Sequence, residues 1–259
     1  MNGNKEGLKL QAIIIGAGTA IPAINHSPAS VFLQSTDFSA LLDVGPGTFS
    51  KLPIYGIDTL LLKYIFVSHL HPDHTLDLVT YFMIHNYAYE KTSNPPLNLI
   101  GCIGLEQFLS QIMKQFPDIS FPINSMNIRE VANDKFNLGD VRVCTTLSDH
   151  TERSISFRFD FNDKSLVYTS DCVYSARLEK LCNKADILIS ECSFPDEWPT
   201  NDHMNAQKLG VMAENAQVKK LFVTHRYPPA SDVNLEAQIK KYYSGPIRIA
   251  QDGDYIKLK

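Results

Sequence analysis

Four apolar residues, Tyr64-Ile-Phe-Val67, run directly into Ser68-His-Leu-His-Pro-Asp-His74. No other stretch restricts the fold as strongly. A short buried strand must deliver His69, His71, Asp73 and His74 to one place within six positions. Residues two apart in extended backbone face the same side, so His69 and His71 can grip one metal ion together. Pro72 keeps His71 extended and turns the chain, which lets Asp73 and His74 aim at a neighbouring site as a helix begins. Imidazole and carboxylate donors suit Zn²⁺, with Mn²⁺ or Fe²⁺ as alternatives. A polar loop of solvated histidines accounts for one such residue, not for four.

The remainder of the chain must bury that strand. With 259 residues, 44% of them hydrophobic, it can build one large core. A formal charge of −4 gives no global bias toward nucleic acid or anionic membrane. Apolar runs such as 12–15 and 60–62 are far too short to span a bilayer. Residues 1–9 lack the basic-then-apolar form of a secretory signal. Cys102, Cys144, Cys172, Cys182 and Cys192 are scattered without a CxxC pair, which suggests reduced thiols in a cytoplasmic protein and no separate zinc–cysteine site.

Alternation and turn chemistry predict the elements. Residues 10–15 read as a strand closed by Gly16-Ala-Gly18. This is not a dinucleotide loop: the third glycine is missing at the right spacing, and Pro22 and Pro28 interrupt the helix that should follow. Strands follow at 30–34 and 39–43, then the turn Asp43-Val-Gly-Pro-Gly-Thr48, where Asp43 caps the turn or braces the histidine loop. A short helix at 48–52 precedes the strand at Tyr64. The helix at 77–89 is mostly apolar at helical spacing. Its aromatics (Tyr81, Phe82, Tyr87, Tyr89) serve the core first, with a dimer surface or a substrate wall as sharper readings. Strands at 97–100, 141–146, 154–161, 166–169, 187–190 and 221–224 are interspersed with helices at 105–116, 175–182, 205–216 and 235–243, and short strands end the chain. The pattern predicts one α/β (α+β) domain over residues 1–259, with two sheets face to face and helices outside.

Histidine and aspartate recur just past the predicted strands, in Ser148-Asp-His150, Thr169-Ser-Asp171 and Val223-Thr-His225. In a layered sheet fold, side chains at such strand ends project into a common cleft.

Together with Ser68–His74, these segments resemble the successive motifs of the metallo-β-lactamase superfamily of hydrolases, over nearly the whole chain. Leu41-Leu-Asp-Val-Gly-Pro-Gly-Thr48 is similar to the first motif of that superfamily. The resemblance implies a four-layer αββα sandwich with a dinuclear centre. It places His69, His71 and His150 on one metal, Asp73, His74 and His225 on the second, and Asp171 between them. Two Zn²⁺ outweigh the two carboxylates, so the centre suits an anionic phosphodiester; paired metals also lower the pKa of bound water from ~16 toward ~7.

A second resemblance narrows the branch. Ser190-Glu-Cys-Ser-Phe194, followed by Asp202-His-Met-Asn-Ala206, is similar to the Glu-Ala-Thr-Phe and His-x-x-Ala elements of ribonuclease Z and related phosphodiesterases. In that family a Glu–His dyad stands beside the metals. Carried over, Glu191 orients His203, and His203 protonates the leaving oxygen or binds the phosphate, beside Asp73 as the third catalytic residue. The bland reading makes Glu191 a strand-end acid and His203 part of a helix cap.

The chain also departs from ribonuclease Z. Only residues 151–169 separate the His150 and Asp171 motifs, which leaves no room there for the substrate-gripping arm, and no other stretch has its Gly-rich, basic look. The loop Pro22-Ala-Ile-Asn-His-Ser27 lacks the family's basic residues, Pro72 and Asp77 stand where it commonly has glycine, and Asp77 makes the helix entrance more acidic. Transfer RNA binding requires the neutralisation of many phosphates. The expectation is therefore a dinuclear zinc phosphodiesterase acting on a cyclic or short nucleotide-like phosphodiester, with extended nucleic acid not favoured and no membrane partner. The alternatives are a tRNA 3′-processing endoribonuclease, a carbonyl hydrolase of the same superfamily (lactonase, thioesterase or β-lactamase), and a non-catalytic metal scaffold. Relatives of ribonuclease Z pair near the helix after the central motif, which extends the expectation to a homodimer through residues 77–89.

Overall fold

The computed structural model describes residues 10–88, 97–119 and 126–258, without the side chains of His85, Asn86 and Ala88. Tyr89 and the segment 1–9 lie outside the described residues. The first sheet is built from β1 (Gln11–Gly16), β2 (Ser30–Gln34), β3 (Ser39–Leu42), β4 (Tyr64–Val67), β5 (Leu97–Cys102) and β6 (Met126–Val131). The second takes β7 (Lys135–Leu138), β8 (Val141–Leu147), β9 (Ile155–Phe161), β10 (Lys164–Tyr168), β11 (Ile187–Glu191), β12 (Leu221–Thr224) and β13 (Ile247–Ile249). A last strand, β14 (Tyr255–Lys257), returns to the first sheet. The orders are β14-β1-β2-β3-β4-β5-β6 and β13-β12-β11-β10-β9-β8-β7.

Strand β4 explains why its sequence is apolar without alternation. It pairs in parallel with both β3 and β5, and parallel strands are covered on both faces. Phe66 points between the sheets, where it meets Phe157 and Phe159 edge-on at 5.3 and 5.0 Å. Ile65 and Val67 point outward into the layer formed by three helices, α1 (Thr48–Lys51), α3 (Asp77–Ala88) and α4 (Leu105–Met113). The helix between α1 and α3 is α2 (Pro72–Thr75). On the far side, α5 (Ala176–Cys182), α6 (Ala206–Asn215) and α8 (Leu235–Ile239) cover the second sheet, with α7 (Pro228–Ser231) between α6 and α8. The result is the αββα sandwich expected from the sequence.

Both sheets are mixed rather than antiparallel first and alternating later. Strands β1 to β3 pair antiparallel, whereas β3 to β6 are parallel. The second sheet mirrors this: β7 to β10 pair antiparallel and β10 to β13 in parallel. Sequence patterning misses β6 and β7, the outermost strands of their sheets at the point where the chain crosses between them. Their exposed positions carry Asn127, Lys135 and Asn137, so they read as polar connection rather than strand.

The directions of the strands place the cleft. Strands β8, β10, β11 and β12 all run the same way, because β9 reverses twice between β8 and β10. Their C-terminal ends therefore open at one rim, where the β4 end also arrives. Gly45 is required at this rim, since a Cβ there would stand 2.2 Å from the Asp73 carbonyl oxygen. That close approach lets Val44 donate its amide to the His74 carbonyl, locking the β3 turn against the histidine loop.

Candidate metal centre

Helix α2 begins where the sequence requires. His71 is its N-cap in extended backbone (φ −66°, ψ 148°), and Pro72 occupies the first turn. His69 and His71 consequently sit with ring centroids 4.6 Å apart. Behind them lies Asp43, fully buried and held at a φ of 55°. Its Oδ1 accepts the Ser68 amide at 2.8 Å. Its Oδ2 accepts from Ser68 Oγ, Tyr168 OH, Ser170 Oγ and His74 Nδ1, each at 2.8 Å. Asp43 is thus a brace, the second of the two roles its position in the turn suggests. By accepting a hydrogen bond from Nδ1 of His74 it turns Nε2 toward the cleft, the nitrogen that a metal would use.

Among the described residues three donor groups result, two of which share no residue. Ligand atoms of His69, His71, His150 and Asp171 lie within 4.8 Å of one another, as do those of Asp73, His74 and His225; Asp171, His203 and His225 form the third, overlapping group. Asp171 stands between the histidines of the first two. Its Oδ2 is 3.7 Å from His69 Nε2 and 3.6 Å from His150 Nε2. Its Oδ1 is 3.4 Å from both His74 Nε2 and His225 Nε2. Asp73 Oδ2 closes the second cluster, 3.4 Å from His225 Nε2. These separations exceed the 2.7–3.2 Å of a good N–H···O bond. His69 Nε2, His74 Nε2 and Asp171 Oδ1 are in fact buried without a hydrogen-bond partner. Each such orphan costs about 1–3 kcal/mol, and three converging in one cleft fit cations that would satisfy them all. The donors are nitrogen and oxygen only, the set preferred by a hydrolytic zinc centre.

Electrostatics agree. Burial, then the charge of His74, pushes His69 well below the ordinary imidazole range despite Asp171. Burial and His150 push His71 down as well. Burial alone would raise Asp171, but His225 and His74 hold it well below the carboxylate range. His74 goes the other way: burial opposes its charge, yet Asp171 and Asp43 raise it well above the usual value. A cation held by these donors would compete with the proton at His74.

Glu191, at the end of β11, is buried beside the clusters. Its Oε1 lies 2.9 Å from His203 Nδ1 and accepts the Cys172 amide at 2.7 Å, while Oε2 accepts from Ser193 Oγ. So the acid is held on both oxygens and aims the His203 ring, which packs 4.6 Å from His150. Burial lowers the affinity of His203 for a proton. The Glu191 hydrogen bond and the charges of Glu191, Asp171 and Asp202 outweigh it and raise the group to about 9. The cap reading of His203 does not hold, because Asn205 caps α6.

Several supporting residues escape sequence reasoning. The Asp202 carbonyl accepts from His150 Nδ1 at 2.7 Å. Ser193 Oγ lies 3.3 Å from His225 Nδ1. Asp252 takes the amides of Ala17 and Ser27 at 2.8 Å each, pinning the loop whose Ala17 carbonyl accepts the His225 amide. Ser68, Tyr168 and Ser170 are signalled only by adjacency to ligands. Non-glycine residues with positive φ recur here at Asp43, Asp149, Ser170 and His225, a backbone cost concentrated where the cleft must be shaped.

A sequence model of the family described as Anti-Pycsar protein Apyc1 matches residues 10–242. The chain belongs to the Apyc1 family. It is similar to the probable metallo-hydrolase YhfI of Bacillus subtilis (strain 168), with 25% identity over 247 residues that cover 94% of this chain and 98% of that protein. The crystal structure of YhfI matches with a TM-score of 0.84 at 24% identity, over 96% of this chain and 99% of that one. Ribonuclease Z of Mycobacterium sp. (strain KMS) is 24% identical over 244 residues, 85% of each chain. The human short-form tRNase Z shares the fold with a TM-score of 0.78 at 20% identity, covering 96% and 99%. This Apyc1-family chain thus has the metallo-β-lactamase fold and is a metal-dependent hydrolase, similar to the ribonuclease Z-like proteins.

One expectation about the cleft needs correction in this Apyc1-family chain. Asp77 does not make the helix entrance acidic. It is buried, its Oδ2 accepts the Phe49 amide at 2.9 Å, and its Oδ1 accepts from Thr80 Oγ1 at 3.0 Å. It ties α1 to α3 where a glycine could not. The loop after β11 carries the exposed acids Glu197 and Asp202, while Asp196 is turned inward and pairs with Lys241 Nζ at 3.3 Å.

Proposed function

We propose that this chain is a dinuclear zinc phosphodiesterase acting on a cyclic or short nucleotide-like phosphodiester. His69, His71 and His150 would hold one cation and Asp73, His74 and His225 the other, with Asp171 between the two groups. Bound there, two cations supply a positive field for an anionic substrate and lower the pKa of bound water toward ~7. The observation that carries the phosphodiester reading is the Glu191–His203 pair, 2.9 Å apart beside both clusters. A phosphodiester expels a poorly stabilised alkoxide, and an acid at that oxygen contributes ~10²–10⁴-fold.

Each remaining step falls to a named side chain. Burial would raise Asp73, but the His225 hydrogen bond and the charge of His74 hold it below its usual value, so it is ionised and accepts a hydrogen bond from the attacking water. Glu191 keeps the Nδ1 proton of His203, so the second proton sits on Nε2. Nε2 gives that proton to the leaving oxygen and returns to neutral imidazole.

Substrate size follows from the rim. Glu197 and Asp202 are exposed on the loop after β11, whereas the Asp196 carboxylate pairs with Lys241 Nζ. A run of RNA phosphates would be repelled there, whereas one phosphate at the metals would not. A small phosphodiester is therefore preferred to pre-tRNA. We read the protein as cytoplasmic, with all five cysteines buried and free, and as a homodimer. None of the helices among the described residues is long and apolar enough to cross a membrane.

The test is a substrate panel with zinc-loaded protein: bis(p-nitrophenyl) phosphate and cyclic nucleotides against a lactone and a thioester. Turnover of the phosphodiesters is expected. Turnover of only the carbonyl substrates would reassign the enzyme.

A further inference from the structure

Three aromatic rings form a ladder beside the dyad. Trp198 stacks on Phe194 at 5.6 Å with planes 3° apart, and Phe194 stacks on Tyr227 at 5.6 Å and 6°. Phe194 and Tyr227 both turn edges or faces to His203, at 6.1 and 5.6 Å. The ladder thus fixes the indole plane relative to the ring of the proposed acid. Its outer rung is not spent on the core: Trp198 is 45% exposed. Nor is the indole needed to hold its loop. Hydrogen bonds to its backbone do that, with the Trp198 amide on the Pro195 carbonyl at 3.1 Å and the Asn205 side chain reaching the Asp196 carbonyl at 3.3 Å.

We propose that Trp198 is the stacking platform for the base of the nucleoside whose oxygen leaves phosphorus, an assignment that rests on the phosphodiesterase reading above. Two ring-to-ring steps, 6.1 and 5.6 Å, set the upper bound on its distance from His203, so the platform calls for a nucleoside extended away from its ester oxygen. An exposed indole with one face already backed by Phe194 offers the other to a flat ring, and base–aromatic stacking tolerates any base because each has a π face. The acidic side chains on the same loop make it a poor place for a second phosphate. A neutral planar ring is the group that suits it. In a cyclic nucleotide this is its only base; in a short linear diester it is the base on the leaving side.

The sequence contains one tryptophan, so indole fluorescence reports this position alone. Zinc-loaded protein is titrated with adenosine 5′-monophosphate and, separately, with ribose 5-phosphate, which keeps the phosphate and lacks the base. Quenching by the first and none by the second is expected. In parallel, Trp198→Ala should raise KM for cyclic AMP about tenfold with kcat unchanged, and Trp198→Phe should recover most of that loss. Fluorescence unmoved at concentrations of the monophosphate that inhibit turnover, or an unchanged KM in Trp198→Ala, would overturn the assignment. Failure of the parent reading looks different: zinc-loaded protein that hydrolyses no phosphodiester at all.

Discussion

His74 Nδ1 and Asp43 Oδ2 lie 2.8 Å apart, with both side chains fully buried. This bond links the first sequence motif to the central one and decides which nitrogen of His74 faces the cleft. An amide in place of the carboxylate keeps the volume but loses the charge and presents a donor as readily as an acceptor. Asp43→Asn should therefore weaken zinc binding about 10–100-fold, the usual cost of losing a carboxylate behind a metal-bound histidine. Chelator competition measures it; unchanged affinity would remove Asp43 from the account.

His203→Ala should retain both metals and lose turnover by roughly 10²–10⁴-fold. The pH dependence adds a sharper test. His203 is raised above its ordinary value to about 9 by Glu191, Asp171 and Asp202, so its acid form persists below that pH and is lost above it. Two bound cations push the same group downward, so kcat should fall on the alkaline side at or below about 9. Glu191→Gln removes the principal raising cause, and the fall should move to lower pH. A profile that is the same in both proteins would contradict the dyad.

Phe66 is packed between the sheets by Phe157 and Phe159, at 5.3 and 5.0 Å. Phe66→Ala leaves a cavity directly beneath the histidine loop and should cost about 3–5 kcal/mol. Urea denaturation reads the loss, and zinc affinity should fall with it because Phe66 belongs to the strand that presents His69.

Helix α3 divides its apolar residues. Leu78, Tyr81 and Phe82 are buried in the core, the reading preferred for its aromatics, whereas Met83 and Tyr87 remain 49% and 78% exposed. The homodimer reading uses that outer face, so Tyr87→Asp should produce monomers. Light scattering of the unaltered protein as a monomer at every working concentration would end it.

How far the sequence reveals the molecule can be judged from particular residues. His69 and His71 declare themselves because strand periodicity and a proline act over a few positions. Asp171 and His225 are legible because each ends an apolar strand. What holds them is less so. Asp252 braces the loop against His225 from the far end of the chain, through backbone amides that any residue could supply. The Asp202 carbonyl on His150 carries no side-chain signature at all. Edge strands β6 and β7 stay hidden because half-exposed pairing tolerates the charged residues that mark loops elsewhere. Asp77 misleads for the same reason: its two hydrogen bonds reach across a fold that local pattern does not encode.

The proposed chemistry depends on two cations held by the donor groups on either side of Asp171. Zinc analysis of metal-replete protein, combined with anomalous scattering at the zinc edge, tests this most directly. Two equivalents per chain are predicted, with one peak among His69, His71 and His150 and the other among Asp73, His74 and His225. A single peak, or none, would contradict the account.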